Sequence, residues 1–185
     1  MQVFDIIKKR RSIRLYTDEA IDEDKLKKLV EAAIWAPSAG NIQAWNIVIL
    51  QRKEDIERVK AVSPGMLGNP KALMILCVDK RKAYDKGGEV GRDVLSIMDI
   101  AIATQNICLE ATELGLGSCI IRSFNPDAVR ELLDLPKNVS PELVVSLGYP
   151  HSIPNPPPRR KIEDTIIRWI KEENTNEKQD ERRET

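Results

Sequence analysis

The chain has no run approaching the ~18 consecutive apolar residues that span a bilayer, and its N-terminus has no apolar core of the length a secretory signal needs. No membrane partner is read, and the expected address is the cytoplasm. Charge of one sign is missing as well: Lys+Arg and Asp+Glu each number 29 in 185 residues. No whole-molecule field draws the protein to nucleic acid or anionic lipid, so any basic site is local. Cysteine is scarce and odd in number. Cys77, Cys108 and Cys119 lack the paired spacing of metal ligands and sit in apolar periodic segments, so they read as buried thiols of a reducing compartment. With one histidine, His151, no metal cluster, nucleophile or paired carboxylate is legible. His151 itself reads as a loop residue.

What remains is a balanced globular composition, 42% hydrophobic and 31% charged. A chain of this length suits one compact domain of ~100 to 200 residues. Phe4, Ile6 and Ile7 fit a short amphipathic helix over 3–9 that runs into Lys8, Lys9, Arg10 and Arg11. Asp22, Glu23 and Asp24 open a second helix, in which Leu26, Leu29, Val30, Ala33 and Ile34 recur at helical spacing until Pro37 stops it. Asn46–Gln51 and Ala72–Asp79 are apolar, β-branched runs that read as buried strands. Ser96–Leu114 is the longest helical pattern, apolar around most of its circumference and ended by Gly115 and Gly117. Two further strands, Ser118–Ser123 and Glu142–Gly148, flank a helix around Ala128–Leu133. Residues 153–158 are a proline-rich extended connector, and Ile162–Ile170 has a helical pattern. From Lys171 the chain is charged or polar throughout, the composition of a disordered tail. The elements do not alternate strictly between strand and helix, so the expected class is α+β, a sheet flanked by helices.

Four clusters carry chemistry. Extended backbone through Arg10-Arg11-Ser12-Ile13-Arg14 would place Arg10, Ser12 and Arg14 on one face and turn Arg11 and Ile13 away. That face reads either as a solvated basic patch or as a phosphate receptor, two guanidinium forks beside a hydroxyl. Pro37-Ser38-Ala39-Gly40-Asn41-Ile42-Gln43-Ala44-Trp45 packs small residues and two amides into one turn. It is either an ordinary polar loop or one whose backbone and amides serve a heteroaromatic ring. Glu113-Leu114-Gly115-Leu116-Gly117-Ser118-Cys119 lacks the third glycine of a dinucleotide fingerprint and runs from helix to strand, the reverse of that motif, so it reads as a helix C-cap. Arg159-Arg160-Lys161, after the prolines, is a late basic triplet able to return to the same anion as Arg10.

In this order, RRSIR, PSAGNIQAW, ELGLGSC, LGYP and PRRKIEDTI, the clusters resemble the FMN-dependent nitroreductase family over residues 2 to about 170. The resemblance implies a nitroreductase-like α+β fold, with a central mixed or antiparallel sheet and an intertwined homodimer holding FMN at its interface. Residues 1–170 would be one FMN-binding domain and 171–185 its charged tail. Arg10, Arg11, Ser12, Arg14, Arg159 and Arg160 would meet one FMN, with Arg10 and Arg159 on the phosphate. Pro37, Ser38 and Ala39 would reach the FMN of the partner subunit, with Asn41 and Gln43 near the flavin or bracing the loop. Ile121, Arg122 and Ser123 would pass beside the flavin ring. Similar family members carry a small pair where this chain has Arg122-Ser123, so Arg122 either adds positive charge to the substrate pocket or points to solvent. Residues 80–95 are the expected lid or pocket rim. The implied activity is ping-pong electron transfer from NAD(P)H through FMN to a small electron-poor acceptor, such as a nitroaromatic or quinone. Alternatives are a dedicated reductive dehalogenase or biosynthetic oxidase, and a non-catalytic flavin- or phosphate-binding module.

Overall fold

The computed structural model describes residues 2–170. It divides into a first unit ending at Asn155 and a second beginning at Pro156. The first unit runs α1 (Val3–Lys9), α2 (Glu23–Ile34), a 3₁₀ turn (Ala39–Asn41), β1 (Trp45–Leu50), α3 (Lys53–Ala61), β2 (Ala72–Asp79) and α4 (Lys80–Val90). A π turn (Gly91–Leu95) then leads into α5 (Ser96–Glu113), followed by β3 (Gly117–Ile121), α6 (Pro126–Leu132) and β4 (Val139–Gly148). The strands form one sheet in the order β1-β2-β4-β3, antiparallel at every pairing. A single parallel bridge, Ser12 to Ser118, lies outside the named strands. The class is therefore α+β, as the order of elements implied.

The sheet is the middle of three layers. Alternate residues of β2 face opposite ways, as the pleat requires. Ala72, Met74, Leu76 and Val78 pack with Leu26, Leu29 and Ala33 of α2 and Ile100, Ala103, Ile107 and Ala111 of α5. Leu73, Ile75 and Cys77 pack on the other side with Ile56 and Val59 of α3 and Val129 of α6. Both faces of β2 are thus sealed, which is why its sequence reads as an uninterrupted apolar run.

The end of α5 is closed by its own sequence. Gly115 takes the left-handed conformation at φ 76°, Leu116 N–H bonds Ala111 O at 2.7 Å and Gly115 N–H bonds Thr112 O at 3.3 Å. This is the Schellman pattern, and the Leu116 side chain folds into the same core as Ala111. The helix C-cap reading of that cluster is the correct one.

Two helices lack a clear sequence signal. α3 buries only Ile56 and Val59, and α4 only Ala83, so neither shows a full apolar stripe. Residues 80–95, expected as a lid or rim, are helical throughout apart from Gly88, at φ 61° and ψ −155°. With α5 they form a continuous run, Lys80–Glu113, that contains a window of mean hydropathy 1.3. Its length and composition would suffice for a membrane span, but the inner face of α5 is packed against the sheet. In the second unit the helix expected over Ile162–Ile170 does not form. One turn is present, with Thr165 and Ile166 N–H bonding Ile162 O at 3.0 and 3.1 Å, and the residues are exposed. A nine-residue segment is too short to offset the cost of helix nucleation from its own hydrogen bonds. The charged-tail reading of 171–185 lies outside the described residues.

Gly115→Ala places a Cβ on a left-handed residue and is expected to cost about 1–2 kcal/mol. Leu76→Ala opens the two-sided core at a fully buried position and is expected to cost about 2–5 kcal/mol. Urea midpoints at unchanged m-value check both.

Candidate functional site

The segment from Arg10 to Thr17 leaves α1 and runs extended past the start of β3 and beside the residues that follow β4. Ile13 N–H bonds Ser118 O at 2.9 Å, His151 N–H bonds Leu15 O at 3.1 Å and Thr17 N–H bonds Tyr149 O at 2.9 Å. Ile13 is buried under the strip, while Ser12 and Arg14 are exposed and Arg10 is half-buried. Two glycines make room for this packing. A Cβ on Gly117 would lie 2.7 Å from Ile13 Cβ, and one on Gly148 would lie 2.7 Å from the Tyr16 ring. Tyr16 fastens the strip from beneath. Its hydroxyl donates to Ile13 O at 2.6 Å and accepts from Ser146 Oγ at 2.9 Å, and burial raises its pKa far above the ordinary tyrosine range.

Burial raises the Cys119 thiol, and the positive charges of Arg14 and Arg10 partly offset that rise. Arg11 turns the other way. Its Nη1 donates to Lys8 O at 2.6 Å and Arg10 O at 2.8 Å, capping the carbonyls at the end of α1, while its buried Nε has no hydrogen-bond partner.

Sequence reading missed the loop that joins this strip to the end of β3. A Cβ on Gly68, at φ 73°, would fall 1.8 Å from Arg14 O, so only glycine lets the loop press on that peptide. Gly65 N–H bonds Ser123 O at 3.0 Å and Asn125 N–H bonds Val62 O at 2.9 Å. Lys60 Nζ donates to Gly68 O at 2.7 Å. Residues 62–68 therefore bring Arg14 and the Ile121-Arg122-Ser123 segment together. The only signal in the sequence was turn composition, Pro64-Gly65 and Gly68-Asn69-Pro70.

Arg122 is exposed, as the solvent reading expected, and it also meets a carboxylate. Its guanidinium is 3.8 Å from Glu142 Oε2 and lies over the Phe124 ring at 5.6 Å. Glu142 is buried, and Lys80 Nζ stands 3.0 Å from its other oxygen. Arg122 thus balances an internal carboxylate. Beneath them the Cys77 thiol is pushed up to about 12 by burial, with the Glu142 charge adding to the rise.

The Pro37–Ala44 loop is built differently. Gly40, Asn41 and Gln43 are left-handed, at φ 55°, 53° and 50°, a conformation that costs of order 1–2 kcal/mol for each non-glycine residue. Its polar groups serve the loop itself. Ser38 Oγ accepts from Gln43 N–H at 3.2 Å and Gln43 Nε2 donates to Asn41 Oδ1 at 2.8 Å. From outside, Lys82 Nζ of α4 donates to Gln43 O at 2.9 Å, and Asp99 of α5 accepts from Ala39 N–H at 3.1 Å. Asp99 carried no sequence signal, being one acidic residue on an apolar helix. Among the described residues, no hydrogen bond or ion pair joins this loop to the Arg10–Arg14 strip.

Arg159 and Arg160 belong to the second unit and are exposed within it. The Arg160 guanidinium donates to Asp164 O, and the connector 153–158 has no regular structure, as its prolines implied. His151 is an exposed loop residue.

Comparison with known proteins gives this arrangement a family. The nitroreductase family model matches residues 7–67 and 61–149. A protein of Archaeoglobus fulgidus bearing the name NADH dehydrogenase/NAD(P)H nitroreductase is 37% identical over 150 residues, 76% of this chain and 81% of the relative. The crystal structure of a nitroreductase family protein from Clostridium difficile 630 superposes with a TM-score of 0.79 at 31% identity, covering 90% of this chain and 97% of the other. An NADH oxidase, so named, from Clostridium acetobutylicum gives 0.78 at 32% identity, covering 90% and 100%. With the family model spanning most of the first unit, and the sheet order and edge strip in place, the chain belongs to the nitroreductase family.

Proposed function

We propose that the protein is an FMN-dependent oxidoreductase that takes electrons from NADH or NADPH and passes them to a small electron-poor acceptor such as a nitroaromatic or quinone. One observation carries this reading within the family: Ser12 and Arg14 are exposed and Arg10 half-buried on a strip whose backbone is fixed. A phosphate receptor works when its donors are held before the anion arrives, because the entropy of ordering them is already spent.

The residues present fit FMN. Arg10 supplies charge for the phosphate, Ser12 and Arg14 follow it on the same strip, and Arg159 of the second unit is proposed as a phosphate contact in its own right. Arg11 joins by its backbone, since its guanidinium is engaged at the end of α1. Ile121, Arg122 and Ser123, braced by Gly65, offer backbone groups to the ring, and Arg160 supports Arg159. Pro37, Ser38 and Ala39 serve the site of a second copy, with Asn41 and Gln43 bracing their loop. When bound, FMN supplies two-electron chemistry in ping-pong order between nicotinamide and acceptor, and the protein supplies binding, orientation and electrostatics. Lys80 and Arg122 share the single carboxylate of Glu142, so this group keeps a net positive charge. The three cysteines are buried and free, which supports a reducing, cytoplasmic setting.

A homodimer follows from the uncovered apolar surface. α1 buries none of its residues. Phe4 is 65% exposed, Trp35 80%, Met98 57% and Ile102 41%, and Ile34, placed by its spacing on the core side of α2, is exposed beside Trp35. Obligate interfaces bury on the order of 2,000 Å² or more. Light scattering should give a dimer, and Met98→Glu with Ile102→Glu should give a monomer that no longer retains FMN. Retention of FMN by that monomer counts against a shared site.

Arg10→Ala removes a charge-assisted bond worth about 1.5–3 kcal/mol, a loss of roughly 10- to 150-fold in FMN affinity. Riboflavin, which has no phosphate, should lose far less. Titration of cofactor-free protein with both ligands checks this, and equal losses would give Arg10 another role. Anaerobic addition of NADH, then NADPH, to FMN-loaded protein tests the activity. Bleaching of the flavin and its return on adding a nitroaromatic or quinone are expected; a flavin that stays oxidised with both donors sinks the enzyme reading.

A further inference from the structure

Asp99 sits where a carboxylate is costly. It lies on the inner side of α5 among Ser96, Ile100 and Ala103 and is 7% exposed. Burial of an ionised carboxylate is unfavourable unless a cation or several hydrogen bonds compensate. Among the described residues no cation pairs with it. The π turn Gly91–Leu95 runs directly into α5, so Asp99 does not stand at a free helix N-terminus, where a negative charge would be favoured.

Its hydrogen bonds come from one donor, Ala39 N–H, at 3.1 Å from Oδ1 and 3.3 Å from Oδ2. That amide opens the loop in which Gly40, Asn41 and Gln43 are left-handed. Such a loop does not hold its shape by backbone preference, so it depends on anchors. Lys82 holds the far end through Gln43 O, and Asp99 holds the near end beside Ser38. A charged acceptor makes a bond roughly twice as strong as a neutral one, which suits an anchor that must work against strain.

We infer that Asp99 is a positioning residue for the flavin-contacting loop: its carboxylate fixes the Ala39 amide, and thereby the way Ser38 and Ala39 meet bound FMN. This rests on the flavin reading proposed above. Asp99 acts through Ala39. An Asn in its place keeps an acceptor for the amide, whereas an Ala does not.

The test uses the full chain, with FMN titrated into cofactor-free protein and amide hydrogen exchange measured without cofactor. For Asp99→Ala the expected results are an FMN dissociation constant raised about 10-fold or more, and faster exchange confined to residues 38–43 while β2 keeps its protection. Asp99→Asn is expected to recover most of both. Should Asp99→Ala not fold, Asp99→Leu replaces it with the same expectations. Unchanged FMN affinity in Asp99→Ala overturns the proposal, as does an Asn variant as damaged as the Ala one. Exchange that rises in β2 as much as in the loop makes Asp99 a core residue only and also overturns it. If the wild-type protein takes up no FMN, the proposed function fails and the exchange pattern alone decides Asp99. Acceleration confined to the loop then sustains the anchor, and its absence overturns it.

Discussion

Two-sided burial of β2 and β4 is the constraint on which the other elements depend. A strand that is apolar on both faces is stable only if each face is covered, and here one is covered by α2 and α5 and the other by α3 and α6. Antiparallel pairing fixes the register, since a slip of one residue would exchange the two sets of side chains between layers. The flanking strands then fall at the edges, β1 beside β2 and β3 beside β4. The edge of β3 is the consequence that matters for function. It offers unpaired backbone groups, and the chain covers part of it with the Arg10–Thr17 strip.

The strip is thus part of the sheet's solution to an exposed edge as well as a display of charge. Its apolar residues, Ile13 and Tyr16, face inward over Gly117 and Gly148, and this burial leaves Ser12 and Arg14 facing out. Polar and apolar roles separate by the period of an extended chain, so one packing event both fastens the backbone and presents the cations. The loop around Gly65 and Gly68 extends the same logic to Ser123, joining segments far apart in the chain with few hydrogen bonds.

Charge is handled locally throughout. Glu142 is compensated by Lys80 and Arg122, and Arg11 spends its guanidinium on the last carbonyls of α1. Arg10 and Arg14 have no carboxylate partner among the described residues, the condition in which an anionic ligand gains most.

Much of this was legible in the sequence because it depends on local periodicity. The apolar run Ala72–Asp79 gave the central strand with its observed bounds, the pattern from Ser96 gave α5, and Gly115 gave its cap. Alternation in Arg10–Arg14 already separated Ile13 from its neighbours. α3 and α4 escaped because two buried residues in one and one in the other make no periodic signal, while Ile162–Ile170 has the signal and forms a single turn with its residues exposed. What Asp99 meets, where Arg122 points and which loop braces Ser123 were decided only by tertiary structure. Each depends on residues that approach across the sheet, and sequence spacing carries no information about such distances.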